Sequence, residues 1–516
     1  MSFLSLPPEI HQRILSYILS ARDVAALSIQ CRALHAMCDM PTRKIYDTIS
    51  IYSNDESIDG AFGLLMNILK RPTLGHYVRH VESCSATFLS MEFKETAPQR
   101  GVNDEDTALV RGAVKKAGFS GHSEDRVVNM LMQRMEHATG SYGFYKYRDT
   151  LGTFIAQALI AVLIALSPNL TSMATPPPFR WHGQEGVSYP LVEFLRQVKA
   201  SPEAKPYFQN LRKVYLINKS DSTWSDGRFY VPMDFLACWE LFDQLPSIES
   251  IGADLVVADE NDKQALESRL SNISRIAINH SHINSNILVQ CISSCRILRE
   301  LQYSIGGRAS SDGSSPTVNP KAIIKAILGH KDSLEILDLD VDSVTRLEGL
   351  AGDEYDYESM EFELDRDGSP FKEWVHPGVS ESLRSIWMRQ GSLKDFGTLK
   401  ELSLGLEFLV YFARGVRASE APVEEASMED HEWPIVADCL PESLEYLCIR
   451  GYEKGVSEEL DRQVDALMAY YESGSSNLKE IKGLVETIPN SDTVGSPDNN
   501  GELLWSLTEM GYESDW

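Results

Sequence analysis

The chain has 516 residues, a formal net charge of −27, 43% hydrophobic and 9% aromatic residues. That apolar content suits a folded protein rather than a disordered one, and the length exceeds one ordinary core but fits a continuous array. The acidic balance argues against a general nucleic-acid binder, which needs a basic stripe to displace counterions from phosphates, and disfavours docking on anionic membranes.

The first residues, MSFLSLPPEIHQRILSYIL, are amphipathic and interrupted by Glu9, His11, Gln12 and Arg13, so they are not read as a signal peptide. Pro8 suits the first position of a helix, where its missing N–H costs nothing, and Glu9 suits the positive end of the helix dipole. Ile10, Ile14, Leu15, Ile18 and Leu19 recur at helical spacing. Ser20 with Asp23 reads as a capping pair opening a second helix through Val24, Ala25, Ala26 and Leu27. A third helix is expected from about Arg32 to Ile45, ending near Pro41 or continuing past it. Three such helices bury too little surface to be stable alone and need a partner, either the rest of the chain or another protein.

The order Leu6-Pro7-x-Glu9-Ile10, Ile14-Leu15, Ile18, Asp23-Val24-Ala25-Ala26-Leu27-Ser28 and Gln30-Cys31-Arg32-Ala33-Leu34 resembles the F-box family, over about residues 3–46. Leu34 stands where many members carry Trp. The resemblance implies a docking surface for the Skp-type adaptor of cullin–RING ubiquitin ligases. Carried over position by position, it implies Leu6, Pro7, Ile10, Ile14, Leu15 and Leu27 as adaptor-binding residues. The competing reading is a three-helix cap packed on the following domain. Residues 1–50 carry five bases and four acids, so this segment is near neutral while the rest of the chain holds the acidity.

Behind it the pattern apolar-x-x-apolar-x-apolar returns at Leu211/Val214/Leu216, Ile273/Ile276/Ile278, Leu298/Leu301/Tyr303, Leu334/Leu337/Leu339, Leu399/Leu402/Leu404 and Leu444/Leu447/Ile449. Weaker copies start at Val78, Leu170, Ile248 and Leu478. Helical stretches at Leu151–Ser167, Asn286–Cys295 and Pro320–Gly329 precede several copies. A helix, a turn and such a strand resemble the leucine-rich-repeat unit, although the steps are irregular and no consistent Asn marks the ladder. A generic α/β fold with several βα units competes. The apolar run Phe154 to Leu166 contains Gln157 and is too short to span a bilayer, so it is read as a buried helix. Eight cysteines without dense spacing suit free thiols in a reducing compartment.

The expected architecture is therefore α/β: a three-helix F-box (1–50), a helical connection with a polar insertion around 95–125 (51–150), an irregular leucine-rich-repeat-like solenoid (151–484), and an acidic tail (485–516). Acidic insertions are placed near 353–367 and 420–432. The alternates of the ladder residues face out along each strand. They give one expected concave surface for a protein substrate: Lys213, Tyr215, Arg275, Asn279, Glu300, Gln302, Asp338, Asp340, Glu401, Ser403, Tyr446 and Arg450. It has a basic end, an acidic middle and Tyr215 and Tyr446 as anchors, so it suits a basic segment. No phosphate loop, nucleophile elbow or zincin motif occurs. Asp338, Asp340 and Asp342 imitate a calcium loop, but Ser343 and Gly349 stand where it needs Gly and Glu. Neither cofactor nor metal is expected. The leading expectation is a non-enzymatic substrate receptor of an SCF-type ligase, cytoplasmic or nuclear; a scaffold outside the ligase and a hidden hydrolase or transferase are the competitors.

Overall fold

The computed structural model of the chain describes residues 6–18, 21–52, 54–83, 93, 100–134, 144–175, 189–200, 207–217, 234–254, 256, 266–281, 283–305, 318, 320–341, 385–418, 433–474 and 477–490. Its contacts divide into two units, one of Met1–Asp221 with Cys238–Gly252 and one built mainly of Ala253–Leu503. Ser20, the insertions at 353–367 and 420–432, and the tail beyond 490 lie outside the described residues.

The first unit opens with α1 (Pro8–Tyr17), α2 (Ala21–Ser28), α3 (Arg32–Cys38) and α4 (Met40–Asp47). Pro7 caps α1 and Pro8 begins it, as its fixed φ favours. The expected third helix is two helices. Asp39, at φ 47° and ψ 50°, stops α3 in the left-handed region that Asp tolerates, and Pro41 sits in the first turn of α4. Leu15, Val24 and Cys38 form a small core, with Ile18, Leu27, Met37 and Met40 packed against it.

Helix α4 runs straight into β1 (Thr48–Ile51). Then come α5 (Asp55–Lys70), β2 (His80–Ser83), α6 (Asp104–Lys116), α7 (His122–Leu131), α8 (Phe144–Leu166), β3 (Ser172–Thr175), α9 (Pro190–Ala200) and β4 (Lys213–Ile217). Strands β1 to β4 pair in parallel, in chain order. The run from Phe154 is buried helix, as its composition implies, and α5, α6, α7 and α9 pack against α8. Residues 100–134 differ from the polar excursion expected there. They form α6 and α7, which bury Val110, Ala113, Val114, Val127 and Leu131. Most of the charges stay open, although Arg100 and Glu124 are buried, so the mean polarity of the segment hides an amphipathic period. Among the described residues no helix is long and apolar enough to cross a membrane.

After α10 (Phe235–Glu240) and β5 (Ser250–Asp254), the second unit runs β6 (Arg275–Asn279), α11 (Ser285–Ser294), β7 (Glu300–Ser304), α12 (Pro320–Leu328) and β8 (Ile336–Asp340). It continues with β9 (Glu401–Gly405), α13 (Leu406–Arg414), β10 (Tyr446–Arg450), α14 (Glu458–Glu472) and β11 (Glu480–Lys482). Strands β6 to β11 pair in parallel and in chain order. Strands β6 to β10 alternate buried and open positions, and the buried ones include the ladder residues read from the sequence, such as Leu301, Leu337, Leu402 and Leu447. Burying one such side chain is worth roughly 1.5–3 kcal/mol before the entropy of ordering it.

One backbone device recurs from strand to strand. Two consecutive N–H groups at the start of a strand donate to a single carbonyl beside the preceding strand: Arg299 and Glu300 to Ser274, Glu335 and Ile336 to Arg299, Lys400 and Glu401 to Glu335, Glu445 and Tyr446 to Lys400. The first unit uses the same device, with Thr171 and Ser172 donating to Arg79 and Arg212 and Lys213 to Thr171. These bonds lock the register in which pattern positions stack. The ladder spacing also occurs at Tyr46/Ile49/Ile51, all buried, so the first strand follows the last N-terminal helix without a linker.

Candidate functional site

Two surfaces carry the residues singled out in the sequence. On α1, Ile10 is 42% exposed, Ile14 37% and Tyr17 70%. Their spacing places them on one helical face, while Leu15 and Ile18 turn to the small core. Pro7 is exposed, and Leu6 and Leu27 are half-buried. Leu15 is corrected: at 1% exposure it joins the helices to each other and cannot also present its side chain to another protein. An apolar stripe left open on a short amphipathic helix is the signature of a surface that a partner covers.

The helices that carry this stripe are tied to the strands of the same unit. Arg79, beside β2, donates through Nη2 to the Ile18 carbonyl at 2.9 Å and through Nη1 to His76 at 2.6 Å, while its backbone N–H donates to Asp47 at 2.9 Å. Burial, with repulsion from Arg43, pushes its pKa down to about 10. Arg43 donates to the Cys38 carbonyl at 2.7 Å and lies 4.3 Å above the Tyr77 ring. The N-terminal helices and the first strands therefore share buried, directional contacts.

The second surface is the open side of β6 to β11. Register stacks its side chains in rows. One row is Arg275, Glu300, Ile336, Glu401, Tyr446 and Glu480; the next is Ala277, Gln302, Asp338, Ser403, Cys448 and Lys482. Gln302, Asp338, Glu401, Ser403 and Tyr446 line one pocket of about 310 Å3 with Cys448, Glu480 and Lys482. The sequence pattern brings the first five together and misses the other three: Glu480 and Lys482 belong to the weak copy starting at Leu478, and Cys448 is the unassigned alternate between Leu447 and Ile449 on β10.

The charges are not bare. Arg450 donates from Nη2 to Asp338 at 3.2 and 3.3 Å and from Nε to Ser403 at 3.0 Å, and its Nη1 lies 3.9 Å from Asp340. Burial alone would push the Arg450 pKa down, yet the two carboxylates hold it above the ordinary value. Arg275 pairs with Glu300 at 3.2 Å and Lys482 with Glu480 at 3.1 Å. The acidic middle expected from the sequence is thus partly neutralised: Arg450, 112 residues away in the chain, reaches across β9 to Asp338, and Arg275 pairs with Glu300 from the adjacent strand. Two placements are corrected. Asp340, at the end of β8, is only 2% exposed, and Tyr215 in the first unit is only 3% exposed, so neither presents its side chain to a partner. Lys213 is exposed, Asn279 half-buried, and Tyr446 38% exposed with the Lys479 ammonium 5.7 Å from its ring centre.

Among the described residues, no group of three or more His, Cys, Asp or Glu is arranged to hold a metal ion. Cys291 and Cys295 are buried, and the Cys295 thiol donates to the Cys291 carbonyl at 3.3 Å.

Residues 3–47 match the F-box-like family. The chain carries an F-box-like domain, which covers the four N-terminal helices and ends where β1 begins. No curated protein matches the chain.

Proposed function

We propose that the chain is a substrate receptor: its F-box engages a Skp-type adaptor, and through it a cullin–RING ligase, while the open strand face holds a protein substrate. The observation that carries this reading is the exposed Ile10, Ile14 and Tyr17 stripe on α1 within a domain of the F-box-like family. Such a receptor needs no active site. It raises the effective concentration of a substrate near a conjugating enzyme, a gain that depends on a defined span between the two sites. The repeated strand start and the ladder spacing support a diverged leucine-rich-repeat-like array behind the F-box.

Within the substrate face, recognition centres on Tyr446 and Glu401, an exposed aromatic ring beside an exposed carboxylate at the rim of the 310 Å3 pocket. Aromatic anchors dominate binding energy at interfaces, and a peripheral carboxylate sets encounter rate and selectivity for a basic partner. Isolating the tagged protein from cells with the proteasome blocked should recover the adaptor and a cullin together, plus substrates that Tyr446→Ala fails to retain. Recovery of the adaptor without any cullin would favour a scaffold acting outside the ligase.

A further inference from the structure

A cavity of about 1180 Å3 lies between the F-box helices and the start of the strands, within the first unit. It exceeds the roughly 300–1,000 Å3 usual for small-molecule pockets. Its lining is unusual for a chain of charge −27: Arg22, Arg43, Lys44 and Arg79 face it against one carboxylate, Asp47. Met40, Pro41 and the Tyr77 ring supply apolar wall. The α1 residues Ile10 and Ile14 do not line it, so it is separate from the adaptor face.

The cations differ in how they are engaged. Arg79 spends its guanidinium on backbone carbonyls, including those of His76 and Ile18. Arg43 donates only through Nε, to Cys38, and stacks on Tyr77; among the described residues its two Nη groups have no acceptor. Arg22 and Lys44 are exposed and form no ion pair with a described residue. Asp47 sets one carboxylate, drawn to Arg79 and Arg43, against these four cations, and its Oδ2 is buried without a hydrogen bond among the described residues. A buried guanidinium stacked on an aromatic ring, its Nη groups without an acceptor among the described residues, beside two exposed cations that form no ion pair with a described residue, suits a phosphate.

We propose that this cavity binds a small amphiphilic phosphate ester, its phosphate on Arg43, Arg22 and Lys44 and its apolar body along Met40, Pro41 and Tyr77. The inference does not depend on adaptor binding. Because the pocket joins helices α2 and α4 to β1 and the turn before β2, a bound ester would stabilise the junction between the F-box and the strands.

The test is titration of the full-length protein with 1-naphthyl phosphate, followed by ligand fluorescence, with neutral 1-naphthol and inorganic phosphate as comparison probes. The expected result is saturable binding of the ester, with naphthol and inorganic phosphate each weaker by about tenfold or more. The surface double variant Arg22→Glu/Lys44→Glu should weaken the ester by about tenfold and leave the melting temperature unchanged. Arg43→Lys, which keeps the charge but removes the fork, should give an intermediate loss. Saturation that naphthol matches would reduce the cavity to an apolar one. Absence of saturable ester binding, or binding indifferent to the double charge reversal, would overturn the proposal.

Discussion

His330 has both ring nitrogens on backbone groups: the Leu298 N–H donates to Nδ1 at 3.2 Å, and Nε2 lies 3.0 Å from the Ile292 carbonyl. This pairing requires the neutral ring with its proton on Nε2. Burial lowers its pKa to about 4, below the ordinary 6.5. The stability it lends is therefore complete above about pH 6.5 and drains away as pH falls from there toward 4. Urea unfolding at pH 7.5 and pH 5 should show a steeper acid loss for the wild type than for His330→Gln; equal slopes would remove the ring from the account. Asp243 has the opposite sign. Burial raises its pKa to about 6, so its favourable contribution is complete below about pH 3.8 and is lost as pH rises through 6. Asp243→Asn should raise the melting temperature at pH 7.5 and leave it nearly unchanged at pH 4, and a scan at both values decides. Lys325 is fully buried, and its ammonium donates to the carbonyls of Trp387, Arg389 and Arg417 at 2.6, 2.8 and 2.7 Å. Lys325→Met strands three carbonyls and should cost about 3 kcal/mol, a fall of about 5–10 °C in melting temperature. A change under a degree would mean that water replaces the ammonium freely. Nothing in the local sequence marks Lys325 as buried: it sits in a helix whose polar positions ordinarily face solvent, and its acceptors lie more than sixty residues away.

At the scale of elements, the helices and ladder strands were legible because each obeys a short-range period. Leu337 and Leu339 on β8 and Ile10 and Ile14 on α1 could be assigned from spacing alone. The split at Asp39 was not, since a single left-handed residue leaves no periodic trace. The open strand face was half legible. Alternation located Gln302, Asp338, Ser403 and Tyr446, but the pairing of Arg450 with Asp338 joins strands 112 residues apart and depends on register. That pairing changes what a charge reversal does. Asp338→Lys would set a lysine against Arg450 and disturb the sheet, so Glu401→Lys is the cleaner probe of a basic substrate. It should weaken substrate capture while the melting temperature stays within about 1–2 °C, because an exposed carboxylate contributes little to stability. The same caution applies to the acidic insertions. Deleting 353–367 or 420–432 should be tolerated, since surface loops close at small entropic cost, provided the cuts spare Trp387, Arg389 and Arg417 around Lys325.

In the whole molecule, the proposed adaptor would cover the apolar stripe of Ile10, Ile14 and Tyr17 on α1. The F-box is not hung on a linker: α4 enters β1 directly, and Arg79 bridges Ile18 and Asp47, so a docked adaptor would be held at a fixed angle to the first strands. The most direct measurement is calorimetric titration of purified Skp-type adaptor into the wild-type protein and into Ile10→Asp/Ile14→Asp. Placing two carboxylates in an apolar interface costs several kcal/mol, so binding should be saturable and equimolar for the wild type and weaker by at least about a hundredfold for the variant. The variant should unfold at the wild-type temperature, since both side chains are already partly exposed. Equal affinity of wild type and variant, or no adaptor binding by a folded wild type, would contradict the account.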